Sequence, residues 1–397
     1  MQVRIGFVLA LAACGGSHAA SVDGGGEDAA PDGPAGCPRT ASPVDGPRHV
    51  VVSHPYDAAG AKAGGYEVLD LSAEGVLVRP NRSFTMGRAV VGTIAFTPDG
   101  EVGLAALEDG TLGVFRLDAA GVPAVVHAGF AGSFYATKVI VDPRGDRAVV
   151  LDGNTRENGG GAYLVTIGCD GTLTDRGLVV PAKLPGGFAF AGNHAVIAAS
   201  DVSLTGIESP AGNDAHLLAW SGESAPTLLG GTDAFGDDLA IVGGTALTSD
   251  GKTFLVGDVS QFSGVPNRIA VVGVEPATVK AISKLAVDDP EAIATSPFGD
   301  VAVVASAFGD KLVVLDTGGT AGAWRVRGEV AYSGAKPMLP GDLAAIDRGA
   351  LRGQVFVSEN VSIRQLAFHA DGSVVDVGSL AFGSGLENIG GAIGVTP

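Results

Sequence analysis

Short apolar runs alternate with polar turns along most of the chain, and one combination of the two recurs. An apolar strand followed by a turn of the type Ser/Thr/Asp-Pro-x-Gly, or a close variant, occupies residues 94–100, 139–145, 246–251 and 293–299. Degenerate copies lie near residues 190–193 and 345–348. The copies are spaced by about 45–57 residues, which indicates a repeated structural unit.

The same order of elements follows each copy. A second apolar strand comes first, then a loop of variable length, and then a third strand that ends in a turn. Residues 301–316 are the clearest case, and the pattern returns at 101–118, 254–274 and 354–369. A weaker fourth strand follows, as at 124–127 and 172–180. Four strands in about 50 residues is the period of a β-propeller blade.

Residues 301–316, VAVVASAFGDKLVVLD, resemble the YVTN-type repeat, with VVAS at 303–306 in place of the tetrapeptide. The whole of 48–397 resembles the seven-bladed lactonase-like propellers in pattern. The resemblance implies an all-β, seven-bladed β-propeller with four antiparallel strands per blade. The catalytic residues of that family do not map onto positions in this sequence.

The two ends of the repeat region predict how the ring closes. Residues 48–53 match the second strand of a blade, and residues 391–397 match a first strand with half its turn. The C-terminal strand should therefore complete the first blade and remove a free sheet edge. The expected blades are 48–88 with 386–397, 89–130, 131–181, 182–231, 232–287, 288–332 and 333–385. Blade four has an atypical turn, and its first strand is expected to be short.

Propeller topology places the loops between second and third strands, and those between blades, on one face, here called the top face. The second strands end there in polar residues: Ser53, Glu108, Asp152, Ser200, Asp258, Ser306 and Ser358. These side chains form either a ring of ligand groups or a set of local caps, since Asp and Ser readily bind nearby backbone amides.

Long top-face loops at 54–65, 153–161, 201–214 and 258–267 surround a candidate pocket, because binding sites are usually built on such loops. The candidate pocket residues are Arg88, Lys138, Asp152, Asp238, Asp258, Glu291, Asp342 and Glu387. Several of them lie just before first strands, which line the central channel. A funnel lined by carboxylates would bind a divalent cation such as Ca²⁺ or hold a general base. A solvated channel mouth has the same composition, and both interpretations stay open.

The N-terminus has the features of an export signal. Arg4 precedes an apolar stretch, 5–13, that is too short to span a bilayer and that ends in small residues just before Cys14. Residues 11–14, LAAC, match the bacterial lipobox, which implies cleavage before Cys14 and its acylation by fatty acids such as palmitate. Gly15 in place of Asp implies the outer membrane, on the periplasmic side or at the cell surface.

The residues behind this signal predict the domain organisation. Large apolar residues are nearly absent from 14–47, so this segment cannot bury enough surface to fold and forms a flexible tether. The chain is therefore divided into a signal peptide at 1–13, a lipidated cysteine with its tether at 14–47, and the propeller at 48–397.

Charge and cysteine content narrow the partners. The net charge of −18 argues against nucleic acid, which needs a basic footprint. It also argues against docking of the protein surface onto anionic lipid, so the acyl anchor is expected to hold the protein at the membrane. With Cys14 acylated, Cys37 and Cys169 remain, and an even remainder in an oxidising compartment predicts a disulfide on the bottom face. Two free thiols are the alternative.

Two classes of function are compatible with these features. The first is a membrane-anchored, extracytoplasmic module that binds a small ligand or a protein on its top face. The second is a lactonase-like hydrolase in which top-face carboxylates activate water, with or without a divalent metal.

Overall fold

The computed structural model describes residues 37, 39–41, 46, 48–57, 59–89, 92, 94–153, 160–200, 203–204, 207–208, 214–220, 226–236, 241–259, 266–320, 322–382 and 391–397. Their strands form seven four-stranded antiparallel sheets and one separate two-stranded sheet. The prediction of an all-β, seven-bladed propeller is confirmed. No helix within the described ranges is long and apolar enough to cross a bilayer.

The first four blades follow one another along the chain. Blade one holds β1 (Arg48–Tyr56), β2 (Lys62–Leu71) and β3 (Leu77–Thr85), and blade two holds β4 (Ala95–Phe96), β5 (Val102–Ala106), β6 (Leu112–Leu117) and β7 (Pro123–Phe130). Blade three consists of β8 (Ala136–Val141), β9 (Arg147–Asp152), β10 (Gly161–Ile167) and β11 (Leu173–Pro181). Blade four begins with β12 (Lys183–Ala191) and β13 (His194–Ser200). A small hairpin of β14 (Ser203–Leu204) and β15 (Ile207–Glu208) comes next, and β16 (Ala215–Ala219) and β17 (Thr227–Thr232) complete the blade.

The remaining strands build blades five to seven. Blade five holds β18 (Val242–Leu247), β19 (Thr253–Asp258), β20 (Arg268–Glu275) and β21 (Thr278–Ala286). Blade six holds β22 (Pro290–Thr295), β23 (Val301–Ser306), β24 (Lys311–Asp316) and β25 (Arg325–Glu329). Blade seven holds β26 (Asp342–Ala345), β27 (Gln354–Ser358), β28 (Ser362–Phe368) and β29 (Val374–Ala381), and β30 (Ile393–Val395) is the last described strand.

The C-terminal strand closes the ring as the sequence predicted. β30 pairs antiparallel with β1, so the sheet order of blade one is β3-β2-β1-β30 and the last strand is the innermost. One expectation is wrong: the first strand of blade four, β12, is nine residues long, not short. Its pairing with β13 is irregular between Lys183 and Gly187, and this irregularity hides the strand in the sequence pattern.

The recurring turn is stabilised by its own side chains. In blade two the amide of Val102 donates to Thr97 Oγ1 at 3.1 Å, and Thr97 Oγ1 donates to Asp99. Gly100 has a φ of 74°, in the left-handed region that favours glycine. Thr248 and Gly251 repeat this arrangement in blade five, which explains why the motif survives there without its proline.

Seven hydrophobic clusters lie at the seven seams between neighbouring blades. The seam between blades four and five, for example, packs Phe235 and Phe254 with Val272, all fully or almost fully buried. The other clusters join the remaining pairs of neighbours in the same way. Because each blade is sandwiched between two others, the core is a ring around the channel.

The described residues just before the propeller, 37 and 39–41, lie on the bottom face, where the Pro-x-Gly turns are. Cys37 and Cys169 form a disulfide with their Cα atoms 5.0 Å apart, which confirms that prediction. The backbone amide of Cys37 donates to Ile167 O at 3.0 Å. Arg39 binds Asp99 of blade two at 2.7 Å and donates to Gly168 O of blade three at 2.9 Å. Cys37 and Arg39 therefore join blades two and three from below.

Candidate functional site

The innermost strands approach one another closely at their top ends. A Cβ atom on Gly186 would lie 2.4 Å from Val242 Cβ, and one on Gly243 would lie 2.7 Å from Pro290 O. Only glycine permits this approach, since real Cβ contacts are never so short. The channel is consequently narrow where β12, β18 and β22 begin, and backbone carbonyl groups line it.

Lys138 crosses this narrow part of the channel. It is the third residue of β8, and its Nζ donates to Gly186 O at 2.6 Å and to Gly243 O at 2.8 Å. Two of the three ammonium hydrogens are thus directed at carbonyls of blades four and five. Burial lowers the pKa of Lys138, although the negative charges of Asp342 and Glu291 oppose this. A lysine from blade three therefore holds a positive charge at the centre of the ring.

A pair of carboxyl groups lies beside this charge. Burial, and then repulsion from Asp289, raises the pKa of Glu291 to about 7. Burial also raises the pKa of Asp289, although the amide of Phe308 donates to its Oδ2 at 2.8 Å. The two side chains hydrogen-bond to each other, and the hydrogen bond raises the pKa of Glu291, as expected when Glu291 is the donor. Burial and mutual repulsion therefore favour a single proton shared by this pair near neutral pH.

Asp342 is the second acidic candidate that faces Lys138. It is the first residue of β26, is 5% exposed, and accepts a hydrogen bond from the amide of Ile393 at 2.9 Å. That contact joins blade seven to β30 of blade one, so the carboxylate has a structural role in ring closure. Its charge still acts on Lys138, so the top of the channel carries charges of both signs.

The other described candidates are engaged elsewhere. Arg88 donates through Nε to Glu108 at 2.6 Å and lies over the ring of Tyr56, so it belongs to the rim between blades one and two. Asp152 and Asp258 are fully buried. Asp238, Glu387 and Cys14 lie outside the described residues.

Several of the polar residues at the ends of second strands bind the segment that leads into their own blade. Asp152 accepts a hydrogen bond from the amide of Tyr135 at 3.0 Å, and Asp258 accepts one from Ile241 at 3.2 Å. Ser53 Oγ accepts one from the amide of Ala392 at 2.7 Å. These side chains act as caps that fix the innermost strand against the second strand.

Sequence reasoning missed Asp289, which completes the carboxyl pair. The signal was present in the run Asp288-Asp289-Pro290-Glu291 at the start of β22, where two further acids precede the candidate. It also missed the backbone carbonyls that bind Lys138. Every residue has such a carbonyl group, so the residue types do not show which ones bind a side chain. Within the described part of the chain, no three His, Cys, Asp or Glu side chains are grouped so as to hold a metal ion.

The arrangement can bind and exchange protons. Lys138 offers one remaining donor and a positive charge, and the pair of Asp289 and Glu291 offers both an acceptor and a donor near neutral pH. A ligand with several hydroxyl or carbonyl groups matches this set better than an apolar one. A protonated acid beside a carboxylate is also the arrangement used in general acid–base chemistry.

Known proteins share the architecture but little sequence. No protein-family model matches the chain, and no curated protein has a significantly similar sequence. The periplasmic gluconolactonase of Pseudomonas aeruginosa gives a TM-score of 0.59 at 13% identity, covering 85% of this chain and 97% of that one. A putative 6-phosphogluconolactonase of Bacteroides fragilis gives 0.60 at 12% identity, over 90% and 100%.

A third similar structure comes from a complex. Sqt1 of Chaetomium thermophilum, bound to the N-terminus of a ribosomal protein, gives a TM-score of 0.55 at 13% identity, covering 84% of each chain. Identities this low show the fold alone. The protein is thus a seven-bladed β-propeller with structural similarity to lactonase-like proteins.

Proposed function

We propose that this protein is a lipid-anchored, extracytoplasmic propeller that binds a small polar ligand at the top of its central channel. The observation that carries the proposal is the group of Lys138, Asp289 and Glu291, which offers a positive charge, an acceptor and an exchangeable proton at one place. Ligand sites are usually built on loops and element ends carried by a rigid scaffold, and the location of this group at the channel supports the proposal.

The anchor and the tether support an orientation. Under the proposal, Cys14 carries the lipid, and the outer membrane holds the protein on its periplasmic side or at the cell surface. The bridge of Cys37 to Cys169 attaches the tether to the bottom face. The top face, with the channel mouth, would then point away from the membrane and be open to ligands.

The test is a binding screen on the full chain in detergent. Thermal shifts with neutral sugars, sugar acids, lactones and amino acids at about 5 mM identify compounds whose affinity is then measured by calorimetry. We expect Glu291→Gln and Lys138→Met to weaken any such compound by about tenfold or more, equivalent to at least about 1.4 kcal/mol. Glu275→Gln is the matched control, since Glu275 is exposed at the end of β20. A ligand that binds all four proteins equally would refute the proposed site.

Lactone hydrolysis is the second candidate, favoured by the carboxyl pair. Glu291 would protonate the leaving ring oxygen while Asp289 accepts a proton from the attacking water, giving a hydroxy acid. The gluconolactonase named above has the same fold. Proton release from a lactone panel in weak buffer measures this reaction. Turnover that is lost in Glu291→Gln and kept in Glu275→Gln would favour the hydrolase, and no turnover would leave the binding function alone.

A further inference from the structure

The connection between the first two strands of blade seven departs from the repeat. In blades two, three, five and six this connection is a turn of five residues, as at 296–300 between β22 and β23. In blade seven it is eight residues long, 346–353, between β26 and β27. An extension in one blade only is not required by the propeller itself, so it calls for a local explanation.

Two arginines attach this loop to other blades. Arg348 donates to Pro98 O of blade two at 2.8 Å, although blade one lies between. Arg352 donates to Pro297 O of blade six and lies 4.8 Å over the ring of Phe298. Both acceptors belong to the first turns of their blades. The loop is therefore held across the lower end of the central channel in a fixed conformation.

A cavity of about 490 Å³ lies at this lower end, between blades five, six and seven. Its size is within the range of small-molecule sites, roughly 300–1,000 Å³. Ile293 and Leu343 supply apolar wall, and Ser249 and Thr295 supply hydroxyl groups. This cavity is on the opposite face from the group around Lys138.

Charges of opposite sign face this cavity from the loop. Arg352 uses one nitrogen for Pro297 O, and its other nitrogens retain N–H donors in a planar fork suited to carboxylate. Asp347 is exposed, and no described residue forms an ion pair with it. A zwitterionic ligand can pair with both charges at once, whereas a ligand with a single charge pairs with only one of them.

We propose that this lower cavity binds a short peptide with free termini. The peptide carboxylate pairs with Arg352, its ammonium group pairs with Asp347, and an apolar side chain packs on Ile293 and Leu343. The inference is independent of the top-face site, since it shares no residue with it.

The experiment compares alanyl-leucine with its N-acetylated and C-amidated forms by calorimetry on the full chain. We expect the free dipeptide to bind with a dissociation constant below about 1 mM and each blocked form to bind at least about tenfold more weakly. Failure of the free dipeptide to bind at about 10 mM, or equal binding of all three, would overturn the proposal.

Two substitutions test separately the contact of Asp347 with the peptide ammonium group and that of Arg352 with the peptide carboxylate. Asp347→Asn, which preserves shape, should weaken the free dipeptide about tenfold while leaving the acetylated form unchanged, because that form lacks the ammonium group. Arg352→Gln should remove the dependence on the free carboxylate. Arg325→Gln is the control, since Arg325 pairs with Asp316 away from the cavity. An Asp347→Asn variant of unchanged melting temperature and unchanged affinity would contradict the assignment.

Discussion

The proton on Glu291 should make the stability of the protein depend on pH in a way that one substitution removes. Burial beside Asp289 raises the pKa of Glu291 from 4.5 to about 7 in the folded state. Between these values the folded protein binds a proton that the unfolded chain has released. Stability therefore falls as pH rises through this window, and the loss is complete above about pH 7.

The magnitude follows from the size of the shift. Each unit of difference between the folded and unfolded pKa is equivalent to about 1.4 kcal/mol, so the raised pKa of Glu291 allows at most about 3 kcal/mol. Because the channel leaves part of Glu291 open to solvent, we expect about 1–3 kcal/mol. Gln at this position still donates a hydrogen bond to Asp289 and does not titrate.

Urea unfolding of the wild type and Glu291→Gln at pH 5, 6, 7 and 8, followed by the fluorescence of Trp220 and Trp324, measures this difference. Both tryptophans are buried, so unfolding changes their environment. Burial also raises the pKa of Asp214 to about 6. Asp214 is present in both proteins, so its contribution to the pH dependence cancels in their difference. The variant should gain about 1–3 kcal/mol relative to the wild type between pH 5 and 8. A difference that stays within about 0.5 kcal/mol across this range would refute the shared proton.

Three further outcomes are expected. Replacing both bridge cysteines by serine should lower the free energy of unfolding by about 2–5 kcal/mol, because the bridge closes a loop with a sequence separation of 132; an unchanged urea midpoint would contradict this. Arg364→Ala should cost about 3–5 kcal/mol in the same assay, since it leaves Glu359 and Asp376 buried without their cation, and a loss below about 1 kcal/mol would disagree. Cys14→Ser should move the protein from the membrane fraction to the soluble fraction and abolish labelling by palmitate, and labelling that persists would count against the anchor.

The fold could be predicted because the same order of apolar strands and polar turns recurs in the sequence of most blades. Apolar strands such as 301–306 and hydroxyl-stabilised turns such as 97–100 are set by local interactions, so they recur wherever the blade does. The ring closure was also visible, since residues 391–397 match a first strand and residues 48–53 match a second strand. The first strand of blade four was misjudged because its irregular pairing breaks the alternation.

The site could be predicted only in part. Lys138, Glu291 and Asp342 were recognised because they stand at the entry to first strands. Contacts between candidate residues of different blades depend on distances across the ring. A local sequence pattern contains no information on these distances. The length of the loop at 346–353 was visible only as a degenerate repeat, and its attachment to distant carbonyls could not be inferred from residue types.

Proton exchange on binding is the sharpest test of a ligand site at the top of the channel. Calorimetry of the best compound from the screen at pH 7, in buffers of different ionisation enthalpy, counts the protons that binding takes up or releases. Because burial raises the pKa of Glu291 to about 7, a ligand that favours one protonation state of this carboxyl shifts its proton occupancy, so we predict a count clearly different from zero in the wild type and near zero in Glu291→Gln. A binding heat that is independent of the buffer in the wild type, or the same proton count in both proteins, would contradict a ligand site at the top of the channel.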